Sequence, residues 1–191
     1  MDQPILRTFV AYVEDRPGVL NRVASLFRRR GYNIASLTVG RTHDPGISRM
    51  TVVMEADADA ARRISANLYK LVNVLHVEDI THAEVVVRDL ALIKVSVGQE
   101  TRPQVLQLAE VFRARVVDLG IDAVTVEITG TQDKIDGLLD VLRPYGVLDM
   151  VRTGAIAMTR GARTSMPDPT GDDPRLESSP LMRDAGESPA S

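Results

Sequence analysis

From Thr8 to Val13 the side chains alternate, with Thr8, Val10 and Tyr12 on one side and Phe9, Ala11 and Val13 on the other. This period of two in β-forming residues predicts a strand. Pro17 stands at the start of a helix in which Val19, Leu20, Val23, Ala24 and Phe27 recur at helical spacing and form the expected core stripe. Gly31 sits where a left-handed cap would end that helix. Strands follow over about 32–40 and 48–54, the second with Met50, Val52 and Met54 on one face. The stretch His43-Asp44-Pro45-Gly46 between them predicts a hairpin turn. A second helix carries Ala61, Ile64, Leu68 and Leu71, and Val74 to Glu78 forms the closing strand.

The same order of elements returns further along the chain. Strands are expected near 90–97, 115–119, 123–129 and 147–152, and helices near 102–113 and 131–142, with Ile135, Leu138, Leu139 and Leu142 on the inner face of the last. Each copy reads βαββαβ. Two crossover helices per copy predict an α+β protein of two tandem ferredoxin-like units with helices on one face of each sheet. The expected domains are 5–80 and 88–161. After Gly161 the chain turns to Pro, Ser, Asp and Gly, as in Pro167-Asp168-Pro169-Thr170-Gly171, so 162–191 is expected to be a disordered tail.

Composition narrows the function classes. The 191 residues hold no cysteine, which removes disulfides, thiolate metal sites and a cysteine nucleophile. A net charge of −3 and 4% aromatic residues lack the basic, stacking surface of a nucleic-acid binder. No apolar run is long enough for a membrane span or a secretory signal, so a cytoplasmic location is expected. His43, His76 and His82 are scattered and read as surface residues, and Arg28-Arg29-Arg30 reads as a cationic cap at a helix end. No base stands at a recognisable position beside Ser36, Thr38 or Ser48.

The segment Asp15-Arg16-Pro17-Gly18-Val19-Leu20 carries the chemistry. The N–H groups of Gly18, Val19 and Leu20 open a helix and have no intrahelical partners, so they offer a place for a carboxylate. Gly18 leaves that place unobstructed. Asp15 has two available roles, capping those donors or accepting a hydrogen bond from a ligand ammonium. Asn33, within Gly31-Tyr32-Asn33-Ile34, carries an amide able to meet either charged end of an amino acid. Both segments are also ordinary signals, a turn with a cap and an Asx turn.

Asp15-Arg16-Pro17-Gly18-Val19-Leu20, followed by Arg30-Gly31-Tyr32-Asn33-Ile34-Ala35-Ser36-Leu37-Thr38-Val39, resembles the ACT domain of acetolactate synthase small subunits. Asp44-Pro45, Ser48-Arg49-Met50-Thr51, Lys70-Leu71-Val72-Asn73-Val74-Leu75 and Arg152-Thr153-Gly154 continue the resemblance, which covers about 5–161.

The resemblance implies a regulatory subunit, inert alone, that activates a large catalytic subunit and confers feedback inhibition in branched-chain amino acid biosynthesis. Thiamine diphosphate, magnesium and FAD are then expected on the large subunit and no cofactor on this chain. It further implies a homodimer through ACT domains, with valine as effector and leucine or isoleucine as substitutes. The effector would lie between protomers, held by Asp15, Gly18, Val19 and Leu20 of one and by Asn33 and Ile34 of the other. An aliphatic pocket separates such effectors by only ~1–3 kcal/mol per methylene. Alternatives are an ACT sensor for a different biosynthetic enzyme and a small ferredoxin-like enzyme acting on acyl phosphates. The second copy has Gln99-Glu100-Thr101-Arg102 in place of the Pro-Gly turn, and no effector site is expected there. From the tail's composition, ending the chain after Gly161 should leave folding, activation and inhibition intact; loss of any of these on truncation would give the tail a role.

Overall fold

A computed structural model describes residues 3–162, so the tail expected over 162–191 lies outside the described residues apart from Ala162. The described residues form two compact units, one from residues 3–86 together with 157–162, the other from Val87–Ile156.

The first unit runs β1 (Ile5–Glu14), α1 (Val19–Arg29), β2 (Ile34–Arg41), β3 (Ile47–Ala56), α2 (Ala58–Leu68) and β4 (Val74–Asp79). Its strands pair antiparallel in the order β2-β3-β1-β4. The register sets Phe9 opposite Val52 and Ala11 opposite Met50, so the middle of one face of the sheet is apolar. Val19, Val23, Leu26 and Phe27 of α1, with Ala61, Ile64 and Leu68 of α2, close the core on that face.

Two expectations about the helices need correction. Leu20 and Ala24 do not belong to the core stripe: both are exposed, Leu20 at 47%, and Leu26 takes the inner position instead. Each corrected residue directly follows a buried valine, which puts it about 100° around the helix from the seam. Helix α2 ends at Leu68, and Leu71 packs on the core from the turn that follows. Tyr69 is the helix's C-cap, and its hydroxyl accepts from Val77 N–H and donates to Val77 C=O, which locks the turn to β4.

The end of α1 is as expected. Gly31 has φ +70°, its N–H reaches Arg28 C=O at 3.2 Å, and Tyr32 N–H reaches Phe27 C=O at 3.1 Å. These are the paired bonds of a Schellman cap, completed by the edge-on contact of the Phe27 and Tyr32 rings at 6.3 Å. His76 is not a surface residue: it is half-buried in β4, with Nδ1 3.1 Å from the Tyr69 hydroxyl.

The remaining elements are β5 (Val85–Ser96), α3 (Arg102–Val111), β6 (Arg115–Leu119), β7 (Ala123–Gly130), α4 (Gln132–Leu142), a 3-10 turn over Arg143–Tyr145, β8 (Val147–Arg152) and β9 (Ile156–Thr159). The second sheet has the order β6-β7-β5-β8. Ala91, Ile93 and Val95 face Val105 and Ala109 of α3 and Ile135, Leu138 and Leu142 of α4. Strand β5 begins earlier than expected, because Val85-Val86-Val87 is apolar without alternation and shows no period of two. Strand β9 was not foreseen. It pairs with β5, and Arg160 N–H donates to Glu84 C=O at 2.8 Å. Together the two sheets and their helices give the α+β, twice ferredoxin-like architecture expected. Among the described residues no helix is long and apolar enough to cross a membrane.

In the second unit Asp89 is buried, with Arg152 Nε 3.9 Å from its carboxylate. The same guanidinium donates to Asp136 at 2.6 Å. Burial pushes the Asp89 carboxyl above the ordinary aspartate value; Arg152 opposes the rise and the Asp136 carboxylate adds to it.

Two outcomes follow from these local features. Gly31→Ala meets no atom within 4 Å, so its cost is the left-handed backbone alone, roughly 1–2 kcal/mol in urea unfolding. In the pH window just above the ordinary aspartate pKa of about 3.9, folded Asp89 keeps a proton that the unfolded chain has released. Stability of the wild type relative to Asp89→Asn should therefore fall as pH rises through that window. A flat or rising difference would contradict the assignment.

Candidate functional site

The loop between β1 and α1 is built from backbone anchors. Asp15 N–H donates to Gly46 C=O at 2.7 Å, joining the loop to the β2–β3 hairpin, and Arg16 N–H turns back onto Glu14 C=O at 2.9 Å. Gly18 then takes φ +84°, ψ −9°, a left-handed conformation that carries the chain from the extended strand into the helix. Nothing lies within 4 Å of the position a Cβ would occupy there. The approach to the helix start is open.

No side chain caps α1, and its first turn holds no acidic residue. The donors at the helix start are therefore available to an anion, favoured further by the helix dipole. Val19 is less available than its neighbours, since its N–H reaches Arg16 C=O at 3.4 Å and its side chain is buried in the core. Gly18 and Leu20 carry the more accessible donors, and the exposed Leu20 side chain adds an apolar surface beside them.

Asp15 does not cap the helix. Its carboxylate pairs with Arg41 Nε at 2.9 Å, and the Arg41 side chain is 85% exposed. An ion pair this open contributes only about 0–1 kcal/mol and exchanges readily for another cation. Arg41 was not among the residues singled out in the sequence, because its meeting with Asp15 depends on β2 returning along the sheet to the loop.

Asn33 is exposed just before β2, and Ile34 is half-buried at the start of that strand, opposite Met54. The fold does not bring these two to Gly18 within one chain. Helix α1 has 11 residues and separates Gly18 from the Gly31 turn by roughly 16 Å at ~1.5 Å per residue. Strand β2 has 8 residues, and its Arg41 end, not its Ile34 end, touches the Gly18 loop, which leaves Ile34 roughly 23 Å away at ~3.3 Å per residue. A free amino acid spans neither distance.

A family model described as the small subunit of acetolactate synthase matches residues 88–161, and one described as an AHAS small subunit-like ACT domain matches residues 9–76. The probable acetolactate synthase small subunit of Methanothermobacter thermautotrophicus is 44% identical over 163 residues, covering 85% of this chain and 97% of that one. The chain belongs to the acetolactate synthase small-subunit family.

The acetolactate synthase small subunit of Mycolicibacterium smegmatis is likewise 44% identical, over 156 residues that cover 82% of this chain and 92% of its own length. The crystal structure of the small subunit from Thermotoga maritima superposes with a TM-score of 0.77 at 35% identity, covering 82% of this chain and 98% of that one. The first unit is thus an ACT domain of a small, regulatory subunit, a role consistent with no catalysis by this chain and with a catalytic large subunit as partner.

Proposed function

We propose that this subunit binds and activates the large catalytic subunit of acetolactate synthase and makes it sensitive to valine, with leucine and isoleucine as weaker substitutes. Thiamine diphosphate, magnesium and FAD belong to the large subunit in this reading. The chain acts in the cytoplasm, within branched-chain amino acid synthesis. Effector binding supplies a coupling of typically ~1–3 kcal/mol between its own site and the surface that holds the large subunit.

The observation that carries the reading is the separation of Gly18 from Asn33 together with the edge position of β2. Strand β2 ends the first sheet and leaves backbone donors and acceptors on one side for another chain. Two copies related by a two-fold axis and joined antiparallel along β2 would bring Asn33 and Ile34 of one copy to the Arg41 end of the other. Beside that end stand Asp15 and the Gly18 loop. A free amino acid would then have its carboxylate on the Gly18 and Leu20 N–H groups and its ammonium on Asp15 in place of Arg41. Its side chain would lie against Leu20 and the second copy's Ile34, with the second copy's Asn33 closing the polar end.

The deciding measurement is acetolactate formation by the large subunit, with and without this chain, across a valine titration. Gly18→Asp sets a carboxylate against that of the ligand and should abolish inhibition while activation persists. Asn33→Ala should weaken valine binding by ~1–3 kcal/mol in calorimetry. A Gly18→Asp complex that remains valine-sensitive would exclude this pocket.

A further inference from the structure

Asn73 lies in the turn between α2 and β4, outside the Gly18 loop, yet it is bonded to both flanks of that loop. Its C=O accepts from Glu14 N–H at 3.0 Å. Its Nδ2 donates to Glu14 Oε2 at 2.6 Å, and its Oδ1 accepts from Arg22 Nη1 at 2.6 Å. Glu14 is the last residue of β1 and Arg22 lies in the first turn of α1, so one short side chain bridges the entry to the loop and the exit from it.

The chemistry of the bridge demands an amide. A guanidinium only donates and a carboxylate only accepts, so Asn73 has to turn its oxygen to Arg22 and its nitrogen to Glu14. Its neighbours fix its orientation. Aspartate in its place has no donor for Glu14, and alanine reaches neither group. The Glu14 side chain is only 14% exposed, which makes the loss of its donor costly. Arg16 forms an ion pair with the same carboxylate oxygen at 3.6 Å, longer than a hydrogen bond, from a largely exposed side chain.

Opposite this bridge, the bond from Asp15 N–H to Gly46 C=O holds the loop to the hairpin. Between these two anchors Gly18 makes its left-handed turn without help from any side-chain cap. The direction in which the Gly18 and Leu20 N–H groups point is therefore set largely by residues outside the loop.

We infer that Asn73 is a positioning residue for effector binding, holding the Gly18 loop and the first turn of α1 in register through Glu14 and Arg22. The inference rests on the reading of the Gly18 loop as the effector site. It is tested on the complex with the large subunit by the valine concentration giving half inhibition, with the unfolding midpoint measured alongside. Asn73→Asp opposes two carboxylates and should raise that concentration on the order of tenfold. Glu14→Gln keeps an acceptor for Asn73 and should change it less than about threefold.

The double variant Asn73→Asp with Glu14→Gln exchanges donor and acceptor, and should return the value to within about threefold of wild type. Loss and rescue of affinity at an unchanged unfolding midpoint is a readout that a merely structural role would not produce. If Asn73→Asp lowers the unfolding midpoint, Arg22→Met tests the other half of the bridge from an exposed position. A rise of about threefold then supports the inference, and no change overturns it. A neutral Asn73→Asp, or a double variant as weak as the single, also overturns it. Gly18→Asp is run in parallel: when it alone abolishes inhibition the site reading stands and only the role of Asn73 falls, whereas continued sensitivity of Gly18→Asp removes both.

Discussion

Helix α1 is docked by Val19, Val23, Leu26 and Phe27 and bounded by two glycines in the left-handed conformation, Gly18 before it and Gly31 after it. Burying those four side chains, each worth roughly 1.5–3 kcal/mol relative to exposure, fixes the helix axis on the sheet. Its length then fixes the distance between the two turns. The groups proposed to meet an amino acid, the Gly18 loop and Asn33, stand at opposite ends of that helix. In the proposed reading one chain therefore carries two half-sites rather than one site, and the edge strand β2 is the element through which a second chain would join them.

The interactions around the Gly18 loop differ in kind from those of the core. Asp15 with Arg41 is an open surface pair, and the helix start is uncapped. Such contacts are individually weak and exchange for equivalents at little cost. The Glu14, Asn73 and Arg22 bridge is shorter and better shielded at its Glu14 end. A loop firmly held at its flanks and free at its centre suits a binding role, because ordering the flanks beforehand lowers the entropy lost when a ligand arrives.

Much of this was legible in the sequence, and the exceptions share a cause. Alternation in β1 and the Gly31 cap are local patterns, and both are present in the structure. Leu20 and Ala24 were assigned to the core because they fall near a helical stripe, but a stripe has a width, and only packing against the sheet decides where it ends. Leu71 sits at a helical interval from Leu68 although the helix has stopped, since the bond between Tyr69 and Val77 redirects the chain. The pairing of Arg41 and the bridging role of Asn73 are not legible locally because their partners are distant in sequence. A lone amide between Val72 and Val74 was the one local sign that Asn73 had a task.

The two copies of the fold show why the same βα turn need not be a site in both. In the first, the turn ends on Gly18 with its donors unclaimed by any side chain. In the second, Thr101 stands before α3, and its Oγ1 accepts the Gly98 N–H at 2.8 Å. Arg102 then reaches across to the Ile121 carbonyl, and Pro103 removes a donor from the helix start altogether. No side chain caps α3 either, but Arg102 N–H closes on Gly98 C=O at 3.0 Å, and with Pro103 this leaves fewer free donors at the helix start. The two units offer helix starts of the same topology, and the residues of the turn, rather than the fold, set how many free donors each presents.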